Sequence, residues 1–199
     1  MEDIFYRQMP HSLEAEQSVL GSMLIDANCV KDVMEQLRPD DFYLKQNREI
    51  FETIYSMFVY SKPIDGVTVA GEMEKNGTYD ENTTRPYLAQ LMDVTPTSAN
   101  VMEYVGIVRD KALLRAIATV ASDITGMVQD GTGGASAVLD AAEQKIYAVR
   151  QNREIFETIY SMFLYSKPID GVTVAGEMER NRTCDENTTR NYLVQRMED

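Results

Sequence analysis

The chain contains part of itself twice. Residues 46–92 return as residues 151–197 at a constant offset of 105, and 40 of the 47 aligned positions are identical. Chance does not produce that, and an old repeat family would have drifted further. Solenoid arrays repeat contiguously, whereas here an unrelated stretch separates the copies. The pattern is that of a recent partial duplication. It constrains folding because the second copy carries the elements of 46–92 without the 45 residues that precede them. The first 150 residues and the copy therefore pose separate questions.

A length of 199 residues allows one domain with a real core, or one domain with an appendage. The apolar share of 44% and charged share of 26% are those of a soluble globular protein. No apolar run approaches the roughly 18 residues of a membrane span, so no membrane association is expected. The opening MEDIFYRQMP is acidic and lacks the apolar stretch of a signal peptide. A cytoplasmic location is the expectation. Cys29 and Cys184 make no framework, and Cys184 stands where the first copy has Tyr79. Both are expected to be reduced, inert thiols.

The net charge of −13 is unevenly spread. Met1 to Ala99 holds 17 acids against 8 bases, residues 100–150 hold 6 against 5, and the copy holds 9 against 6. Nothing resembles the basic surface that neutralises phosphates. Weak or no direct nucleic-acid binding is expected. The acidic face serves solubility or is offered to a basic protein partner.

The apolar spacing reads as helix almost throughout. Ser12 suits an N-cap, with Glu14 and Glu16 in the positive first turn and an apolar stripe over Leu13, Val19, Leu20, Met23 and Leu24. A second helix is predicted near Asn28 to Leu37. A third, near Asn47 to Ser61, carries Phe51, Ile54, Tyr55 and Phe58 and is stopped by Pro63. Thr68 to Glu74 suits a short helix, Asn76-Gly77 a turn, and Pro86 the start of a helix bearing Tyr87, Leu88 and Leu91.

After Val94-Thr95-Pro96-Thr97 the character changes. Thr97 or Ser98 can cap a long helix from about Asn100 to Gln129, and Ser136 a second one bearing Leu139, Ala142, Ile146 and Val149. Both carry apolar residues in heptad-like steps of three and four, and the Asp130-Gly-Thr-Gly-Gly134 run between them is a turn. Two such helices form an antiparallel hairpin that cannot bury both its sides alone. Its candidate interface residues are Tyr104, Val108, Leu114, Ile117, Val120, Ile124, Met127, Leu139 and Ile146. The predicted organisation is all-α: a helical head over 1–99, a helical hairpin over 100–150, and a helical C-terminal segment over 151–199. That last segment copies 46–92. It is expected to be a less stable appendage, because its Arg196 replaces Leu91, Asn191 replaces Pro86 and Arg182 replaces Gly77. Its stripe of Phe156, Ile159, Tyr160 and Phe163 is intact, and nothing from Ile146 to Ser166 breaks a helix, so the hairpin's second helix can run on into the copy.

Motifs that carry chemistry are missing. There is no GxxxxGK[ST] phosphate loop and no GxGxxG fingerprint. Gly131-Thr-Gly133-Gly134 lacks both the lysine and the preceding strand of a phosphate cradle. His11 is the only histidine, which removes histidine-rich metal sites and Ser-His-Asp catalysis; a surface or capping role suits it. Asp40-Asp41 and Asp80-Glu81 read as solvated loop charge, and the 12 methionines as core filler. No catalytic, cofactor-binding or metal-binding residues are assigned. The residues describe a helical binding module.

The blocks Pro10-His-Ser-Leu-Glu-Ala-Glu-Gln-Ser-Val-Leu-Gly21, Asp41-Phe-Tyr43, Ile50-Phe51, Pro63-Ile-Asp-Gly-Val-Thr-Val69, Pro96-Thr-Ser-Ala-Asn100 and Ile107-Val-Arg-Asp-Lys-Ala-Leu-Leu-Arg115 occur in one order. In that order the sequence resembles the N-terminal domain of bacterial replicative DNA helicases of the DnaB type. Asn47, where the family often has histidine, and Thr83-Thr84, where Gly-Gly is common, depart from the pattern. The resemblance implies a helical head followed by a helical hairpin. It also implies a role in the collar of a hexameric ring, with hairpin and head pairing and primase docking. The family's ATPase, with its ATP and magnesium, lies beyond this domain, so no cofactor is expected here. After Arg150 the chain re-enters its own head instead. The leading expectation is a non-catalytic collar module that self-associates as a dimer or higher ring and meets full-length helicase and primase. The alternatives are a regulatory or dominant-negative subunit of the ring, or a decayed gene fragment without selected function.

Overall fold

A computed structural model describes residues 9–180 apart from 96, 132–133 and 165–166. The described residues are helical, with no strand among them. They fall into two compact units, Met1–Ala118 and Thr119–Asp199.

The first unit is built around α1, Leu13–Ile25. Its N-cap is Ser12, whose hydroxyl accepts from the Ala15 amide at 3.3 Å. Ala15, Val19, Leu20, Met23 and Leu24 are all buried, as are Gly21 and Ser22. A helix buried on several sides is central to its domain. Around it lie α2 (Val30–Gln36), α3 (Lys45–Val59), α4 (Gly66–Lys75) and α5 (Thr84–Asp93). The predicted second helix is divided: a 3-10 turn over Ala27–Cys29 precedes α2, because the Asp26 side chain caps that turn on the Asn28 amide. The long helix α6, Val101–Asp130, contributes Val101, Val105, Val108 and Ala112 to the same core. The division between units therefore falls inside α6, not at its start.

Gly21 marks the closest approach of α1 to the end of α5. A Cβ there would lie 2.3 Å from the Leu91 carbonyl oxygen and 2.2 Å from Thr95 Oγ1. Gly21→Ala must push the two helices apart, and is expected to lower stability by about 1–3 kcal/mol. Chemical denaturation monitored by circular dichroism checks this, and an unchanged midpoint would refute the close approach.

The α3–α4 pair has its own local logic. Lys62 N–H returns to the Met57 carbonyl at 2.8 Å past Ser61, a non-glycine residue at φ +51. Asp65 then caps α4, accepting from the Val67 and Thr68 amides while its own N–H donates to Thr68 Oγ1. Glu72 accepts from Lys62 at 2.6 Å and from Lys75 at 3.1 Å.

The second unit holds the end of α6, then α7 (Gly134–Leu164) and α8 (Gly171–Arg180). Because α7 begins at Gly134, Ser136 lies inside its first turn and is not its cap. The expected continuation past Arg150 is present: one helix of 31 residues carries both the second arm of the hairpin and the start of the copy. The copy rebuilds the α3–α4 logic in α7–α8. Lys167 N–H returns to the Met162 carbonyl at 2.9 Å, Asp170 accepts from the Thr173 amide, and Glu177 pairs with Lys167 and Arg180. Met162, Val174 and Met178 form a small core with Ile155 and Ile159 against it.

The two pairs differ on one side. In the first unit α3 also packs on α1, and Ile50 and Ile54 are fully buried. Their counterparts Ile155 and Ile159 are only half-buried. The duplication left α1 behind, so the copied face lacks its cover. The side chains of Phe156, Tyr160 and Phe163, and all of Cys184, Asn191 and Arg196, lie outside the described residues.

Candidate interaction surface

Within the first unit, the beginning of α6 is tied to the other head elements by two arginines. Arg109 donates to Gln36 Oε1 at 3.2 Å, and Arg115 donates to the carbonyls of Pro10 and Asp41. The Arg115 guanidinium also stands 5.8 Å over the Tyr43 ring, which stacks on His11 at 4.2 Å. His11, expected at the surface or as a cap, is instead held in this stack, its Nδ1–H donating to the Met9 carbonyl at 2.7 Å.

Beneath this contact lies a buried polar network. The Glu16 carboxylate accepts from the Tyr43 amide at 2.8 Å, the Leu44 amide at 3.4 Å and Asn47 Nδ2 at 2.8 Å. Tyr87 hydroxyl donates to Asn47 Oδ1 at 2.6 Å and accepts from Gln17. Burial pushes the Tyr87 hydroxyl's pKa up, against the pull of its Gln17 and Asn47 bonds. Burial likewise lowers that of Arg115, with Glu16 and Asp41 opposing. Glu16 lies in the first turn as expected and is also the acceptor that closes the start of α3 onto α1. Asn47 uses both ends of its amide, one donor and one acceptor, which is the pairing that a neutral imidazole also offers.

At the other end of the first unit, Thr97 Oγ1 accepts from the Ala99 amide, whereas the Ser98 hydroxyl donates to Asp26 at 2.7 Å. That bond and the Asn28 amide hold the Asp26 carboxyl below the usual range. Cys29 is buried, and desolvation raises its thiol to about 11, so it is a poor nucleophile.

The expected interface residues are placed unequally. Val108 is only 1% exposed and is part of the first unit's core. Its apolar surface is already used, because the beginning of α6 is a head element. Tyr104 is half-buried, while Leu114 and Ile117 on α6 are exposed. Within the second unit, Val120, Ile124 and Met127 are half-buried, and Leu139 and Ile146 on α7 are exposed at 60% and 61%. From Leu113 to Glu157 no described side chain is buried at all.

The hairpin tip encloses a groove of about 490 Å³. Ile124, Met127 and Val128 line it from α6, and Val138, Leu139 and Ala142 from α7. Gly131 at φ +64 and Gly134 at φ +78 make the turn at its closed end, a backbone that favours glycine. Lys145 reaches Asp123 at 2.7 Å across the two helices. The groove has no titratable lining side chain, so it offers apolar contact and no acid–base chemistry. Among the described residues no cluster of potential ligands could hold a metal ion, and no helix is long and apolar enough to cross a membrane.

Comparison with known proteins gives one consistent picture. The family model described as the DnaB-like helicase N terminal domain matches residues 8–110 and 125–199. The replicative DNA helicase DnaB of Mycobacterium leprae is 38% identical over 151 residues, 75% of this chain and 25% of that protein. The replicative DNA helicase DnaB of Leifsonia xyli is 34% identical over 184 residues, 92% of this chain and 39% of that protein. The chain thus spans a quarter to two fifths of the length of these relatives. Among solved structures, the DnaB N-terminal domain of Mycobacterium tuberculosis superposes with a TM-score of 0.67 at 37% identity, covering 71% of this chain and 99% of that one. The DnaB N-terminal domain of Helicobacter pylori, described together with its interactions with primase, shares the fold at a TM-score of 0.52 and 22% identity, over 58% of this chain and 90% of that one.

Proposed function

Since the chain belongs to the family of DnaB-like helicase N-terminal domains, we propose that it is a non-catalytic collar module that acts in oligomer assembly and primase docking during DNA replication in the cytoplasm. The observation that carries this reading is the hairpin. Two apolar-striped helices run through more than 40 residues, 113–157, without one described buried side chain. Free-standing apolar stripes of that length need a partner surface. Leu114, Ile117, Val120, Ile124, Met127, Leu139 and Ile146 supply it. In this reading nucleotide and magnesium chemistry belongs to the full-length helicase that the chain joins. Primase is the partner described for the Helicobacter pylori domain, to which the likeness is one of fold.

A second reading, a regulatory or dominant-negative subunit, is favoured by the continuity of α7. The hairpin's second helix leads into a copied head fragment. Such a chain would occupy a ring position without contributing turnover.

The test has two parts. Ile117→Asp together with Ile124→Asp places two carboxylates on the apolar face, at several kcal/mol if that face is desolvated on assembly. Sedimentation at micromolar concentration is expected to show a dimer or larger species for the wild type and a monomer for the double variant. A monomeric wild type overturns the assembly role. Co-purification with full-length helicase and with primase then decides between the collar and the poisoning subunit: mixed rings of reduced ATPase activity favour the second.

A further inference from the structure

The two helix pairs can be compared residue by residue. Between residues 46–75 and residues 151–180, 28 of the 30 positions are unchanged. The two that differ are Val59 and Lys75, both exposed in the first unit. The residues that hold one helix on the other are buried equally in both pairs. Thr53, Met57, Val69 and Met73 are at most 4% exposed, and Thr158, Met162, Val174 and Met178 at most 6%. Ile50 and Ile54 break the match: they are fully buried, whereas Ile155 and Ile159 are half-buried.

The neighbours of α3 explain the difference. In the first unit α3 packs on α4, on the turn Pro39–Asp41 and on α1. Of these the duplication carries a counterpart of α4 alone, which is α8. The copy thus keeps a face whose complement is present elsewhere in the same sequence. We infer that this side of the α7–α8 pair is a docking face for α1 of a second copy of this chain, exchanged out of that copy's head.

Each chain then offers two acceptors, α3–α4 and α7–α8, for one donor segment. Exchange of an identical element between protomers is a low-cost route to association, because the contacts formed are those given up. In a folded head α1 is also held by α5. The donor is therefore released while the second copy's head is open or still folding. The phase of α1 is set by Glu16, which meets the start of α3 at Asn47 at 2.8 Å. Leu20 and Met23 follow one and two turns on along the same side, and both are fully buried in the head.

The experiment presents the donor in excess: a fluorescein-labelled peptide of residues 9–45, titrated with the full chain under reducing conditions and read by anisotropy. Saturable binding of one peptide per chain is expected. Ile159→Asp in the chain places a carboxylate on the docking face and is expected to weaken binding about tenfold or more. Leu20→Asp in the peptide is expected to do the same with the chain unaltered, so the outcome does not depend on how well the Ile159 variant folds. No binding of the unaltered peptide overturns the inference. Binding indifferent to Ile159→Asp also overturns it, since the peptide is then entering the head, and binding indifferent to Leu20→Asp means that α1 is not the occupant. Sedimentation of the chain without peptide reads hairpin assembly separately, so either reading can fail alone.

Discussion

Leu91→Arg should cost the first unit about 4 kcal/mol or more. Leu91 is fully buried on α5, the helix that packs on α1. Removing a buried leucine typically costs about 2–5 kcal/mol, and the arginine must also carry its charge out of the core or lie there desolvated. Typical domains hold only about 5–15 kcal/mol in all, so the head would be partly unfolded at room temperature. Urea denaturation followed by far-ultraviolet circular dichroism measures this directly. A midpoint like that of the wild type would mean that Leu91 is not the core residue described. The substitution is not arbitrary, since the chain already carries it once, as Arg196 in the copy.

Glu16→Ala should be nearly as damaging, by about 3 kcal/mol, for a different reason. The carboxylate is the shared acceptor for the Tyr43 and Leu44 amides and for Asn47 Nδ2. Truncation leaves up to three donors facing a buried cavity, and each unsatisfied group costs about 1–3 kcal/mol. Glutamine at this position keeps one acceptor oxygen and should recover part of the loss. Thermal unfolding of the two variants side by side checks the order: wild type above Glu16→Gln above Glu16→Ala. Alanine as stable as glutamine would mean that water replaces the carboxylate.

The helices of the head were legible because local signals agreed. Ser12 and the Asn76-Gly77 turn, with Gly77 at φ +73, sit where capping and turn chemistry put them, while Asp65 starts α4 at Gly66, two residues before the expected Thr68. The apolar row of α3 followed from spacing, and the continuous α7 from the lack of a helix breaker between Ile146 and Ser166. What stayed hidden depended on contacts distant in sequence. Glu16 lies one turn past an N-cap, where a carboxylate suits the helix dipole whether or not it is buried; its three donors come from 27 to 31 residues away. Gly21 reads as an ordinary helix residue until α5 is seen against it. Val108 shares the spacing of the hairpin stripe, yet the first turns of α6 belong to the head, and periodicity does not say against which element a face is buried. The copy shows the same limit in reverse. Its sequence repeats Asn47 as Asn152 and Tyr87 as Tyr192, but the position matching Glu16 is Ala121. Identical residues then rebuild the neighbouring helix pair and leave Ile155 and Ile159 half-buried.

The unbroken α7 also says something about how such a chain can arise. No loop separates the old hairpin from the inserted fragment, so the joint behaves as a rigid coupling and not as a tether. Each residue added to a helix rotates the segment beyond it by about 100° and advances that segment by about 1.5 Å. A breakpoint one residue earlier or later would swing α8 about a quarter-turn around the rod. The residue count at the junction alone therefore fixes the direction in which the copied helix pair leaves the helix that it extends.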